Sequence, residues 1–161
     1  MIYTTFDTPI GELLLVGDGQ ALRRLSMQSA RPVTILPSWR HDDRWFAAVR
    51  EQLEQYFDGA RREFEVELHL IGNPFELRVW DALLEIPYGE TVSYGQIASA
   101  LGEPAAARAV GLANARNPVA LIVPCHRVIG SDGSLTGYGG GLERKQFLLD
   151  LEAGVLPLLS A

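Results

Sequence analysis

Cys125 is the only cysteine in a chain of 161 residues, and it stands in Leu121-Ile122-Val123-Pro124-Cys125-His126-Arg127-Val128-Ile129-Gly130. An apolar run there ends at a proline, and a soft nucleophile is followed by an imidazole and a guanidinium. A packing cysteine is a small hydrophobe whose burial keeps the thiol protonated and inert. The two basic neighbours of Cys125 predict the opposite, a lowered thiol pKa, and Pro124 fixes a turn that would present a thiolate at the end of a buried strand. Adjacent side chains on extended backbone diverge, so proton transfer from Cys125 to His126 requires a turn or a bridging water. A histidine acting as base usually has an acidic partner that fixes its tautomer. Glu152, closing the last helix on a mostly apolar stretch, is the candidate; the alternative is a solvated helix end.

Composition bounds what such a site can serve. The length and a 47% hydrophobic content suit one domain with a real core, or two small units sharing an interface. No apolar stretch approaches the roughly 20 residues that cross a bilayer, and the start lacks a basic segment followed by an apolar one. The chain is therefore read as cytoplasmic, which also suits a lone thiol. One cysteine allows no internal disulfide, and His41, His69 and His126 are too scattered to form a metal site with it. A net charge of −6 excludes coating of nucleic acid by bulk electrostatics but not a local contact. Lys145 is the only lysine among 14 basic residues, and Arg108, Arg116, Arg127 and Arg144 fall in the half that carries Cys125.

The elements that must position these residues change character along the chain. Residues 2–6, 12–16 and 21–27 are short β-prone runs separated by Thr8-Pro9-Ile10-Gly11 and Gly17-Asp18-Gly19, which predicts an antiparallel meander. After a polar stretch over 28–43, Trp45, Val49, Leu53 and Tyr56-Phe57 recur at helical spacing, predicting a helix over 44–57. Phe64, Val66, Leu68 and Leu70 alternate with polar residues and predict one more strand. From Asn73-Pro74 the pattern turns helical, with Asn as cap and Pro in the first turn. Residues 93–101 and 104–113 are two short helices about a tight turn, the spacing of a helix-turn-helix. The second is nearly all small residues around Arg108, which suits either close approach to another backbone or an ordinary helix-helix contact. Gly137-Tyr138-Gly139-Gly140-Gly141 then leads into a helix over 142–152. As a phosphate cradle it lacks the required strand and Gly-Lys-Ser/Thr, so approach to a flat ligand with Tyr138 as one wall is the better reading.

The stretch Pro124-Cys125-His126-Arg127-Val128-Ile129-Gly130, with Asn117-Pro118 before it and Gly137-Tyr138-Gly139-Gly140 after it, closely resembles the methylated-DNA–protein-cysteine methyltransferases, the 6-O-alkylguanine-DNA alkyltransferase family. The resemblance runs over residues 87–152 almost without interruption and includes Tyr88-Gly89-Glu90-Thr91-Val92-Ser93-Tyr94 and Ala107-Arg108-Ala109-Val110-Gly111. In the first 70 residues only Thr8-Pro9-Ile10-Gly11 and the β pattern carry it. It implies an α+β fold. Residues 1–72 would form a ribonuclease H-like sheet unit with one helix, and residues 73–161 a mostly helical, winged-helix-like unit containing the helix-turn-helix.

The implied reaction is stoichiometric: the Cys125 thiolate takes the alkyl group from the guanine oxygen, and the protein is spent. The resemblance leaves the 4-oxygen of thymine open as a second target. It gives His126 the thiol proton through water, with Glu152 holding the imidazole, Tyr94 donating to guanine N3 and Asn117 supporting the turn between the DNA-reading helix and the active site. Arg108 would fill the gap left by a flipped nucleotide, on a minor-groove surface that includes Tyr94, Ala107, Gly111 and Arg127. Val128, Leu135, Tyr138 and Gly139 would line the alkyl pocket, with backbone groups of Cys125 and Val128 reading the guanine edge. Many family members carry Ser where this chain has Gly139, so a hydroxyl is missing there. The implied partner is double-stranded DNA with alkylated guanine, bound by a monomer without membrane, metal or cofactor, with protein-protein contacts along the DNA left open. Two rivals are a cysteine hydrolase, which leaves Arg108 and Tyr94 unexplained, and a lesion-binding sensor, which would lack the reactive cysteine.

Overall fold

The computed structural model describes residues 1–155. The expected α+β order is observed, and residues 156–161, the end of the expected second unit, lie outside the described residues. Strands β1 (Ile2–Thr8), β2 (Gly11–Gly17) and β3 (Leu22–Met27) form the antiparallel meander, with Thr8 pairing Gly11 across the first turn. The central strand β2 is buried on both faces, because Leu13, Leu14, Leu15 and Val16 are all shielded from solvent. A short strand β4 (Arg40–His41) adds to the outer edge of β1 in parallel and completes the order β3-β2-β1-β4. The polar stretch gave no sign of it, since two exposed residues carry no hydrophobic pattern.

Residues 64–70 do not form the expected strand. Phe64, Val66, Leu68 and Leu70 are half-buried and their neighbours are exposed, so the alternation is real. The segment touches the sheet only at one bridge, Leu22 with Leu68, through Leu22 N–H to Glu67 O and His69 N–H to Leu22 O. Period-two burial needs only an extended chain lying on a core, whereas a strand needs a continuous ladder.

Helix α1 (Ala47–Phe57) buries Val49, Leu53 and Tyr56. Helix α2 (Pro74–Leu84) opens with a capping box in which Asn73 and Glu76 satisfy each other's backbone N–H groups, and Pro74 occupies the first turn. Strand β5 (Val92–Ser93) leads into α3 (Tyr94–Ala100), capped by Ser93 and Gln96 in the same manner, and α4 (Ala107–Ala115) follows the turn at Gly102. Helix α4 starts three residues later than expected, after a turn over 104–106. Strand β6 (Val128–Ile129) pairs in parallel with β5, and α5 (Leu142–Glu152) ends the described chain. No helix of the described residues is long and apolar enough to cross a membrane.

The hydrophobic core runs without a break across residue 72, from Leu13, Leu25 and Leu53 to Trp80, Val110, Val123 and Leu148. Hydrogen bonds cross with it: Leu25 N–H donates to Pro118 O at 3.0 Å and Ala120 N–H to Leu25 O at 3.3 Å. The two halves therefore share one apolar interior, which places the segment before Cys125 against the edge of the β-sheet. Within the second half, the buried Trp80 of α2 donates its indole N–H to Ala113 O at 2.9 Å, tying α2 to the C-terminal end of α4. Replacing Asn73 by Ala removes the acceptor for the Glu76 N–H and is expected to cost about 1 kcal/mol, measured as a lower denaturation midpoint with an unchanged slope.

Candidate active site

Cys125 is presented by a chain of local constraints. Asn117 Nδ2 donates to Val123 O at 2.8 Å while its Oδ1 accepts from Val119 N–H at 3.0 Å, so one side chain closes the turn leading to the cysteine. Inside that turn Leu121 has φ of +73°, in the left-handed region that costs a non-glycine residue roughly 1–2 kcal/mol. Its fully buried side chain and the Asn117 clamp hold it there. Pro124 then makes a γ-type turn, with Cys125 N–H donating to Val123 O at 2.8 Å, and a short 3-10 turn follows over Cys125–Arg127. The backbone is thus not extended at Cys125-His126, and the divergence expected of neighbouring side chains does not apply.

The structure brings His126 and Glu152 together. His126 is fully buried, its Nε2 is 2.7 Å from Glu152 Oε2, and its Nδ1 has no protein partner. Burial holds the imidazole below its ordinary pKa, against the hydrogen bond and charge of Glu152 that favour the cation. Burial also raises the Glu152 carboxyl, but the hydrogen bonds and charges of His126 and Arg127 overcome it and bring the group down to about 2. The pair is a neutral imidazole that donates Nε2–H to a carboxylate, which leaves Nδ1 as a free acceptor.

Two expectations need correction. Arg127, expected at the DNA surface, is buried: Nε and Nη2 donate to Glu152 Oε1 and Oε2 at 2.7 and 3.0 Å, and Nη1 donates to Ile86 O at 2.6 Å. Its planar fork matches a carboxylate, and a buried anion outcompetes a solvated surface for it. The Cys125 thiol is likewise not lowered by its neighbours. Burial raises its pKa, opposed by the Asn117 amide and the charge of Lys145, because Arg127 is spent on Glu152 and His126 is neutral.

A pocket of about 380 Å³ opens onto Cys125, bounded by Tyr138, Gly139 and Gly140 on one side and by Asn114 and Asn117 on another. Of the expected pocket residues, Tyr138 and Gly139 line it and Val128 and Leu135 do not. The backbone groups expected to read a guanine edge are already engaged: Cys125 O accepts from Val128 N–H and from Asn114 Nδ2, and Val128 O accepts from Lys145 Nζ at 2.6 Å. Arg31 reaches over from the first half to donate to Ala115 O at 3.0 Å, and its guanidinium lies 2.8 Å from where a Cβ on residue 139 would stand. Glycine at 139 leaves that space to Arg31. At Gly140 a Cβ would meet the Tyr138 ring at 2.7 Å, so there the close backbone approach is to the protein's own side chains.

Tyr94, at the first turn of α3, makes a 2.8 Å hydrogen bond with Thr136 on the glycine loop. On α4, Arg108, Ala109, Leu112, Ala115 and Arg116 are exposed, with Arg108, Leu112, Ala115 and Arg116 on one face, whereas Ala107 and Gly111 are half-buried. A Cβ on Gly111 would lie 3.8 Å from the Tyr94 ring, ordinary contact, so that glycine faces α3. Three site residues escaped the sequence. Asn114 hides in the alanine-rich helix. Tyr56 sits on an apolar stripe that reads as core, yet it donates its hydroxyl to Glu152 Oε2 at 2.6 Å. Lys145, whose Nζ binds Val128 O and Thr136 O, did carry a signal, as the single lysine of an arginine-rich chain on an otherwise core-facing position.

Comparison with known proteins finds relatives of both halves of the chain. Residues 74–154 match the family described as 6-O-methylguanine DNA methyltransferase, DNA binding domain, and residues 1–70 match its ribonuclease-like domain. The chain is 54% identical over 155 residues to the methylated-DNA–protein-cysteine methyltransferase of Mycobacterium tuberculosis, covering 96% of this chain and 94% of that protein. It is 50% identical over 153 residues to the protein of that name from Methanosarcina acetivorans, covering 94% and 98%. The crystal structure of Mycobacterium tuberculosis OGT in complex with DNA superposes with a TM-score of 0.92 at 53% identity, over 99% of this chain and 97% of that one. With both halves of the chain matched and such relatives over nearly its full length, the chain belongs to the 6-O-methylguanine DNA methyltransferase family.

Proposed function

We propose that this chain repairs alkylated DNA by transferring the alkyl group from the 6-oxygen of guanine to Cys125, once per molecule. The observation that carries the reading is the arrangement behind the pocket: a lone thiol at its floor, followed in the same tight turn by a neutral imidazole whose free acceptor is Nδ1. His126 takes the thiol proton through a water. The sulfur attacks the alkyl carbon as the C–O bond breaks, and the electron pair passes to the guanine oxygen. Tyr94 exchanges Thr136 for guanine N3 and lowers the charge on the departing base. The thiol proton, relayed from His126, completes the balance, so the products are a thioether and neutral guanine. A thiol kept protonated until substrate arrives is protected from adventitious alkylation, which matters for a protein that acts once.

The exposed face of α4 is the DNA surface in this reading. Arg108 replaces the flipped nucleotide in the stack, Leu112 lies beside it as an apolar contact, and the small residues let the helix seat in the minor groove. Asn117 and Asn114 link this helix to the cysteine turn, one through Val123 O and the other through Cys125 O. The division at residue 72 separates a sheet unit that braces the site from the unit that binds DNA. A thiol that must stay reduced suits the cytoplasm, and recognition through one helix face suits a monomer.

Incubation with duplex DNA carrying one 6-O-methylguanine is expected to add a single methyl group to the Cys125 peptide, saturating at one per molecule and absent in Cys125→Ser. Lesion binding without mass gain would make the chain a sensor instead. Because burial raises the thiol pKa, the folded protein holds less thiolate than free cysteine at any given pH. Its alkylation by iodoacetamide is expected to be slower at neutral pH and to keep rising above pH 9. Arg108→Ala is expected to slow transfer from duplex DNA roughly 10- to 100-fold, matching a flipping cost of a few kcal/mol, and to leave transfer from the free alkylated base unchanged.

A further inference from the structure

Tyr56 belongs to α1, in the half of the chain that does not carry Cys125, yet its hydroxyl ends in the catalytic cluster. The ring is fully buried, 5.4 Å from Phe64 and edge-on to Phe57 at 5.4 Å and to Tyr88 at 6.2 Å. Its hydroxyl donates to Glu152 Oε2 at 2.6 Å, and the same oxygen faces His126 Nε2 at 2.7 Å and Arg127 Nη2 at 3.0 Å, whereas Oε1 holds Arg127 Nε at 2.7 Å. A carboxylate oxygen offers about two lone-pair sites, so three donors on Oε2 compete. A buried tyrosine needs one acceptor for its hydroxyl, and a backbone carbonyl would serve. This one takes the anion that orients the base.

We infer that Tyr56 is a positioning residue for alkyl transfer: by sharing Oε2 with His126 it limits the pull of Glu152 on the imidazole and keeps Nδ1 free to accept the Cys125 proton. The inference rests on the reading above, in which Cys125 receives the alkyl group and His126 is its base. The groups facing this cluster are Tyr56 from α1, Tyr88 from the segment after α2, Cys125 and Arg127 from the 3-10 turn, Tyr138 from the glycine loop, whose buried hydroxyl has no protein partner, and Lys145 from α5. Arg62 joins them over the Tyr88 ring at 5.3 Å, and the Arg127 guanidinium lies 5.7 Å from the same ring. Arg127 carries a fixed charge, and Tyr88 OH points to Leu151 O at 3.5 Å. That leaves Tyr56 as the neutral donor that sets how much of Oε2 remains for His126.

The test is Tyr56→Phe, which keeps the ring and removes the hydroxyl. Transfer from methylated duplex DNA is followed across pH, and the His126 imidazole is titrated by NMR. Without the competing donor, the carboxylate favours the imidazolium more strongly, so the His126 midpoint and the acid limb of the rate profile should move up together. Transfer below that limb should fall about three- to tenfold, the equivalent of half to one pH unit. DNA affinity, measured in a Cys125→Ser background, should not change. A fluorinated tyrosine at position 56, a stronger donor of the same shape, should move both midpoints down, and Tyr88→Phe should move neither. A profile lowered equally at every pH, or an unmoved His126 midpoint in both the Phe and the fluorinated proteins, would overturn the inference and leave Tyr56 as packing. Absence of methyl gain on Cys125 in the unmodified protein would instead count against the repair reading, while the NMR titration would still report on Tyr56.

Discussion

A single buried carboxylate organises this protein. Glu152, at the end of α5, accepts from His126, from Arg127 twice and from Tyr56, and so joins the last helix, the cysteine turn and the first helix at one point. Taking a carboxylate and a guanidinium out of water is expensive, and a pair of this kind holds only when every lone pair and N–H finds a partner. Ile86 O on Arg127 and Tyr56 on Glu152 add hydrogen bonds to the pair. Removing one partner from such a cluster typically costs about 3–5 kcal/mol, because the other charge is left buried and alone. Stability and chemistry are therefore set by the same contacts.

That anchoring explains the state of the nucleophile. Arg127 is committed to Glu152 and His126 is kept neutral, so neither stabilises a thiolate, and burial keeps Cys125 protonated. In the proposed reaction the proton therefore leaves only as transfer occurs, with the unpartnered Nδ1 as its acceptor. Lys145 adds a positive charge nearby while bracing Val128 and the glycine loop through their carbonyls. The approach of Cys125 to the pocket depends in turn on the strained turn at Leu121 and its Asn117 clamp. Asn114 ties Cys125 to α4 and Trp80 ties α4 to α2, so the position of α4 and that of the sulfur are not independent.

The first half has a share in this that its sequence does not advertise. It supplies Tyr56 to the carboxylate and Arg31 to the pocket rim, and its sheet edge at Leu25 holds the segment leading to Cys125. The continuity of the core across residue 72 is what lets a helix in one half reach the buried carboxylate of the other.

Much was legible in the chain itself. A lone cysteine beside histidine, Asn73-Pro74 before an apolar stripe, and paired short helices around Arg108 are local signals, because capping, turn chemistry and helical periodicity are decided within a few residues of sequence. Glu152 was legible as an acid ending an apolar helix. Other features were settled only by tertiary contact. The alternation over 64–70 could not distinguish a strand from an extended segment lying on the core, since both bury every second residue. Arg127 looked like a surface cation until an anion 25 residues away took its guanidinium. The thiol pKa followed burial rather than its neighbours in sequence, and Tyr56 became more than a core aromatic because folding set its hydroxyl against an oxygen 96 residues away. Charge and proton affinity depend on what surrounds a group in three dimensions, and that no local pattern encodes.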